Sequence, residues 1–159
     1  MSLPVDNRFC FDMAETIRYM DQQVNRDHLP LEKEYSGASV NHPFVLEWIE
    51  PDGTQNWLAK VKYTGSTVAP LSERFQNISE AVCFVAASVW MEQYGRTTSV
   101  SSIQQIECLC DWDEIDEFFV LFERLSATHN QYRGDAILHA RDGRLLARWE
   151  DIRGERFFN

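Results

Sequence analysis

The segment from Ile78 to Tyr94 constrains the fold of this chain most strongly, because apolar residues cover nearly its whole circumference when it is drawn as a helix. Glu80 and Glu92 stand near its two ends, and Gly95 follows it. The segment is too short to cross a membrane comfortably, since a spanning helix needs about 20 apolar residues. We therefore expect a helix that is buried on most sides, which requires other elements wrapped around it.

The rest of the chain supplies strands for that wrapping. Two β-like runs, 43–50 and 55–64, flank the turn sequence Pro51-Asp52-Gly53-Thr54 and predict a hairpin. The dipeptide Asp142-Gly143 predicts a second hairpin near the end of the chain. After the apolar helix, four further runs are typical of strands: 98–110, 117–127, 131–140 and 145–152.

An amphipathic helix at about residues 8–25 precedes the strands, because its apolar residues recur every three or four positions. The predicted order is therefore helix, two strands, buried helix, and three or four long antiparallel strands. A curved antiparallel sheet around one central helix satisfies this order, which predicts an α+β fold of the hotdog type. We expect residues 1–159 to form a single hotdog domain, with the 8–25 helix as an N-terminal extension. A cone-shaped α+β fold with helices packed on one concave sheet is the alternative.

Charge and apolar content exclude several classes of function. The chain carries 25 acidic against 15 basic residues, a formal charge of −10, and so lacks the basic footprint of a nucleic-acid-binding protein. No run is long enough for a membrane span, and the N-terminus lacks the pattern of a signal peptide. The four cysteines follow no secreted disulfide or metal-ligand pattern. We predict a cytoplasmic protein with no nucleic-acid partner, no bound metal and no cofactor.

The start of the apolar helix is the first candidate for chemistry, and Asn77-Ile78-Ser79-Glu80 stands there. Free backbone N–H groups at a helix N-terminus favour an oxyanion or a thioester carbonyl. In a catalytic interpretation, the Asn77 amide polarises a carbonyl while Glu80 orients or activates water. In a structural interpretation, the same residues form a capping box that stops the helix from fraying. We expect the four histidines to be exposed to solvent or hydrogen-bonded within the fold, and not to act as catalytic bases: His28, His42, His129 and His139.

Three short motifs carry a family resemblance. Glu34-Tyr35 precedes the first strand, Tyr63-Thr64-Gly65 ends the first hairpin, and Phe75-Gln76-Asn77-Ile78-Ser79-Glu80 opens the central helix. In these motifs the chain resembles the mycobacterial type III long-chain fatty acyl-CoA thioesterases, a hotdog family. The resemblance implies active-site roles for Tyr35 and Asn77. A second tyrosine of that family, between the glycine and the asparagine, has no counterpart in this chain, because Ala69 occupies its position.

A second resemblance rests on the C-terminal hairpin, residues 142–150, and on the spacing between Gly65 and Pro70. Both features are similar to those of polyketide and fatty-acid dehydratases, which share the hotdog fold. The histidine of the dehydratase motif would fall at Val61. A dehydratase reading therefore lacks its general base in this chain.

We accordingly predict an acyl-thioester hydrolase acting on fatty acyl-CoA or acyl-carrier-protein substrates. The predicted catalytic residues are Asn77, Glu80 and Tyr35. A homodimer is expected by analogy with other hotdogs. Two alternatives stay open: dehydration or nucleophile addition on a carrier-bound enoyl or hydroxyacyl thioester, and non-catalytic binding of an acyl or aromatic ligand. The predicted substrate-binding residues are Tyr63, Gly65, Lys60, Lys62 and Arg144. The last three are cations that would hold the phosphates of the coenzyme or carrier arm.

Overall fold

A computed structural model describes residues 5–23, 44–51, 56–64, 71–94, 98–110, 116–127 and 131–156. The chain forms two helices and six strands within these ranges. In chain order they are α1 (Val5–Gln23), β1 (Phe44–Pro51), β2 (Trp57–Tyr63), α2 (Leu71–Tyr94), β3 (Thr98–Cys108), β4 (Glu117–Ala127), β5 (Gln131–His139) and β6 (Leu145–Arg156).

The six strands form one antiparallel sheet in the order β1-β2-β4-β5-β6-β3, so β1 and β3 are its edges. Helix α2 contacts both edge strands as well as β2, β4 and β5. A helix reaches both edges of a six-stranded sheet only if the sheet curves around it. The predicted arrangement of a curved antiparallel sheet around one central helix is confirmed.

The face of the sheet that contacts α2, here called the inner face, carries the larger apolar core. Alternate strand residues point to this face because successive side chains of a strand point to opposite sides. From α2, the core includes Ile78, Val82, Val85, Val89 and Trp90. From the strands, it includes Leu46, Ala59, Val61, Phe118, Val120, Phe122, Leu138 and Trp149.

The opposite face of the sheet, here called the outer face, is covered by α1. Met13, Ile17 and Met20 form the buried stripe of that helix, as the spacing of its apolar residues predicts. They pack on a second apolar cluster, formed by Trp48, Leu58, Phe119, Leu121 and Ile137. The predicted N-terminal helix therefore extends the core to the second face of the sheet. No helix in the described parts of the chain is long and apolar enough to span a membrane.

The hairpin between β5 and β6 closes as Asp142-Gly143 predicts. Gly143 has a φ of 86°, a conformation that favours glycine, and its N–H donates to the Ala140 carbonyl at 2.9 Å. The Asp142 carboxylate accepts a hydrogen bond from the Arg144 N–H at 2.9 Å. β1 and β2 also pair as predicted, although the turn between them lies outside the described residues.

The start of the central helix differs from the sequence prediction. α2 begins at Leu71 rather than at Ile78, so Asn77 lies almost two turns inside the helix, at about 3.6 residues per turn. The apolar pattern reveals only the buried part of a helix, and the first turns of α2 are mostly polar. Glu, Arg and Gln nonetheless extend a helix readily, and Pro70 immediately precedes it. The capping-box interpretation of Asn77 and Glu80 is therefore wrong, and so is their placement beside the free N–H groups of the first turn.

Candidate functional site

Tyr63 and Asn77 meet where the end of β2 passes the first half of α2. Asn77 Nδ2 lies 3.5 Å from the Tyr63 hydroxyl oxygen, a long hydrogen bond in which the amide donates. Tyr63 is 6% exposed and Asn77 is half-buried. The sequence predicted roles for both residues separately, and the fold brings them together. Because the hydroxyl accepts from the amide, its own O–H remains a donor, as does the second N–H of the amide.

Arg74 completes this arrangement, and the sequence analysis missed it. Its guanidinium lies over the face of the Tyr63 ring, with Cζ 4.6 Å from the ring centroid. The side chain is only 1% exposed, which is rare for arginine. The available signal was helical spacing, since Arg74 and Asn77 are three residues apart and lie on one side of a helix. That signal appears only once the helix is known to begin before Ile78.

An open cavity of about 420 Å³, within the usual range for small-molecule sites, lies along α2, and neither Tyr63, Asn77 nor Arg74 lines it. Glu80 lines it and is exposed, so its carboxylate is accessible to a ligand or to water. Phe44 and Phe84 form one wall as an edge-to-face pair with ring centroids 5.7 Å apart. The remaining lining residues are Gln76, Ser79, Cys83 and Val100.

Two further side chains on the cavity wall, Ser79 and Cys83, are poor candidates for a nucleophile. The Ser79 hydroxyl accepts a hydrogen bond from Trp149 Nε1 at 3.2 Å, which joins α2 to β6. Burial and the neighbouring Glu80 charge raise the pKa of the Cys83 thiol to about 11. The thiol is therefore protonated at neutral pH and is a poor nucleophile, because the thiolate is the reactive form.

The structure places Lys60 and Lys62 on the outer face, away from Tyr63 and Asn77. Lys60 is 6% exposed and its Nζ lies 2.9 Å from Glu47, 3.5 Å from Asp21 and 3.6 Å from Glu117. Burial alone would lower the pKa of Lys60, but the three carboxylates raise it above its usual value. The predicted role of Lys60 and Lys62 in holding substrate phosphates stays a prediction, and their placement on the outer face does not support it.

Arg144 and His139 lie at the end of the sheet where Tyr63 ends β2. Arg144 is exposed in the β5–β6 turn. His139 is buried, and its Nδ1 lies 3.2 Å from the Gly143 carbonyl oxygen. Burial lowers the pKa of His139 to about 4, so it is neutral at pH 7. Tyr35 and Gly65 lie outside the described residues, and their predicted roles stay predictions.

The described residues hold no cluster of three His, Cys, Asp or Glu side chains arranged for a metal ion. The region around the first half of α2 offers hydrogen-bond donors from Tyr63 and Asn77 and, about one helical turn beyond Asn77, the exposed Glu80 on the wall of a partly apolar cavity. Donors aimed at a developing negative charge, beside a group that can take a proton from water, are the parts required for acyl transfer to water.

Solved structures share this architecture. The thioesterase HI1161 from Haemophilus influenzae matches with a TM-score of 0.60 and 13% identity, over 85% of this chain and 92% of that one. The E. coli PaaI protein from the phenylacetic acid degradation operon matches with a TM-score of 0.57 and 9% identity, over 92% and 97%. The dehydratase domain from the CurJ module of the curacin polyketide synthase matches with a TM-score of 0.54 and 14% identity, over 99% of this chain and 55% of that domain.

No protein-family model matches the sequence, and no curated protein matches it significantly. The resemblance to the mycobacterial type III thioesterases is therefore not confirmed. Identities this low establish the fold alone. The chain has the α+β hotdog fold, shared with structures that include both thioesterases and a polyketide dehydratase domain.

Proposed function

We propose that this protein is a hydrolase of acyl thioesters. The observation that carries the proposal is the contact between the Asn77 amide and the Tyr63 hydroxyl, three residues along α2 from Glu80, which lines the cavity. Asn77 has no capping role within α2, so helix stability does not explain its presence there. The thioesterases among the proteins of similar fold add support at the level of reaction class.

In this mechanism the thioester oxygen accepts hydrogen bonds from the Tyr63 O–H and from the free Asn77 N–H. Glu80 removes a proton from a water molecule as the water oxygen bonds to the thioester carbon. The negative charge that develops on the carbonyl oxygen is stabilised by these two donors. The C–S bond then breaks, and the departing sulfur receives the proton that Glu80 took. Tyr35, implied by the family resemblance, is the candidate for a further polar contact.

The acyl group lies in the cavity, with Phe44 and Phe84 as its apolar wall. We propose fatty acyl-CoA or acyl carrier protein as the source of the thioester. Arg144 is exposed at the same end of the sheet as Tyr63, and we propose that it meets the phosphates of either arm. An exposed cation contributes little to binding, so Arg144→Met should raise KM only about threefold.

We propose that the protein is a homodimer joined through β3. This strand is an edge of the sheet, is paired only with β6 within the described residues, and extends from Thr98 to Cys108. Ile106 and Leu109 on and beside it are 36% and 47% exposed, and a long exposed edge strand invites pairing. Sedimentation should give twice the chain mass of 18.6 kDa, and Ile106→Lys should give the monomer.

The test is release of free thiol from a panel of short- to long-chain acyl-CoA thioesters. Asn77→Ala should lower kcat by about 100-fold, the usual cost of removing an oxyanion donor. Gln22→Ala is the matched control, because it removes the same type of side chain from an exposed position of α1. Equal rates for wild type and Asn77→Ala, or no release from any substrate by folded protein, would refute hydrolysis of coenzyme A esters.

Dehydration is the second candidate, favoured by the similarity to the curacin dehydratase domain over nearly the whole chain. Val61 stands against it, because the position of the dehydratase histidine is buried in the inner core between β2 and α2. Incubation with a carrier-bound 3-hydroxyacyl thioester separates the two reactions, since dehydration yields an enoyl product and leaves the thioester intact. Ligand binding without either product would instead identify a non-catalytic acyl-binding protein.

A further inference from the structure

Arg74 is a buried cation that the proposed reaction does not use directly. Its side chain is 1% exposed, and it lies in the first half of α2, one helical turn from Asn77. A positive charge near the start of a helix is unfavourable to the helix dipole, and burial adds a cost of desolvation. An arginine at this position is therefore not selected by helix stability alone.

The contact of Arg74 with Tyr63, one of those that Arg74 makes, has a specific geometry. The guanidinium lies over the face of the Tyr63 ring, 4.6 Å from its centroid, at a distance typical of a cation–π interaction. The Tyr63 hydroxyl, at the far end of the same ring, is the atom that meets the Asn77 amide at 3.5 Å. Arg74 and Asn77 thus contact opposite parts of a single side chain, its face and its hydroxyl.

We propose that Arg74 is a positioning residue, which fixes the Tyr63 ring so that its hydroxyl stays beside the Asn77 amide and both donors face one acyl oxygen. This inference rests on the proposed thioesterase function. The planar guanidinium stacks on the ring in a way that an ammonium group cannot reproduce. The effect of Arg74 on turnover passes through the Tyr63 hydroxyl, and this route distinguishes positioning from a general contribution to folding.

The test compares Arg74→Met and Arg74→Lys in the wild-type and Tyr63→Phe backgrounds, with kcat, KM and the thermal midpoint measured for each. In the wild-type background Arg74→Met should lower kcat about tenfold, as small misplacements of reacting groups do, and change KM less than twofold. The kcat of Arg74→Lys should lie between those of wild type and Arg74→Met, because lysine keeps the positive charge but lacks the planar guanidinium. In the Tyr63→Phe background neither substitution should lower kcat further. Arg18→Met, an exposed arginine on α1, is the control.

Equal losses of kcat in both backgrounds would overturn the proposal, because Arg74 would then act independently of the hydroxyl. Unchanged kcat in the wild-type background would overturn it as well. If Arg74→Met does not fold, Arg74→Lys provides the same comparison.

A second readout does not depend on hydrolysis. In protein labelled with 3-fluorotyrosine, the five tyrosines give ¹⁹F resonances, and Tyr63→Phe identifies the one from Tyr63. In Arg74→Lys this resonance should broaden or split as the ring samples several positions, whereas in Arg18→Met it should stay sharp. A single sharp Tyr63 resonance in Arg74→Lys would refute the positioning role. If wild type hydrolyses nothing but the Tyr63 resonance broadens as expected, the proposed reaction fails while the positioning of Tyr63 stands.

Discussion

Both faces of the sheet bury an apolar cluster, the larger one on the inner face, but their polar residues are arranged differently. On the outer face, Lys60 lies within 4 Å of three carboxylates, and Arg141 bonds to Asp21 at 3.2 Å and Glu117 at 2.8 Å. On the inner face, the Asn77 amide donates a long hydrogen bond of 3.5 Å to the Tyr63 hydroxyl. Strand β2 contributes a residue to each of these two arrangements, Lys60 to the outer one and Tyr63 to the inner one. The outer face uses charge to fix α1 to the sheet, whereas the inner face carries the uncharged hydrogen-bonding groups of the proposed site.

This difference explains which polar residues are candidates for chemistry. Charged groups that bond to one another inside a protein have little capacity left for a substrate. The Lys60 cluster is of this kind, because α1, β1, β2 and β4 each contribute a charged member. A perturbed pKa in such a cluster reports structure rather than function.

The largest expected effect is on stability, from Lys60→Met. The substitution leaves Asp21, Glu47 and Glu117 close together without the cation between them, and breaking a buried ion pair typically costs about 3 kcal/mol of unfolding free energy. Urea denaturation measures the change, with the exposed Lys62→Met as the matched control on the same face. If Lys60 instead held the substrate phosphates, KM would rise while the unfolding free energy stayed unchanged.

A smaller loss is expected from Gly154→Ala on the inner face. An added Cβ would overlap the Trp90 ring, which is itself enclosed by Phe122 and Tyr132. Overpacking of this kind costs about 2 kcal/mol. Ser102→Ala, on an exposed position of β3, is the control for denaturation measurements. An unchanged midpoint for Gly154→Ala would contradict the close packing of Trp90 against Gly154.

The smallest of the three effects depends on pH and tests the outer face. Burial would raise the pKa of Asp21, but the hydrogen bond from Trp48 and the charges of Lys60 and Arg141 together lower it below 3.8. Asp21 therefore stabilises the fold above pH 3.8, and this contribution is lost as pH falls through the lowered pKa. At pH 7, Asp21→Asn should cost about 1 kcal/mol. The difference in unfolding free energy between Asp21→Asn and wild type should be smaller at pH 3 than at pH 7. An equal difference at the two pH values would contradict the ion-pair role of Asp21.

The sequence predicted most of the fold, because the elements that define it have strong local signals. The apolar circumference of 78–94 identified the central helix, and Asp142-Gly143 identified the last hairpin. Period-2 alternation also determines which face each β2 residue occupies, so Lys60 and Lys62 could have been separated from Tyr63 before the structure was known. Grouping these lysines with Tyr63 as substrate-binding residues, on the basis of their charge, mixes the two faces.

The candidate site was harder to predict because it depends on contacts between distant segments. Asn77 was identified, but its position in the helix was wrong, since the polar turn from Leu71 gives no hydrophobic signal. Arg74 was missed for the same reason. The contact between Tyr63 and Asn77 follows from the curvature of the sheet around α2, and no local pattern encodes that curvature.

The central claim is that the inner face carries the chemistry and the outer face contributes stability. The most direct test compares kcat and the thermal midpoint of Tyr63→Phe with those of Asp21→Asn. Each substitution alters a single polar group that makes a side-chain hydrogen bond, one on the inner face and one on the outer face. Tyr63→Phe should lower kcat about tenfold, as the loss of one hydrogen bond in the transition state does, with little change in midpoint. Asp21→Asn should lower the midpoint and leave kcat of the folded protein unchanged. A fall in kcat for Asp21→Asn, together with full activity for Tyr63→Phe, would contradict the assignment of the chemistry to the inner face.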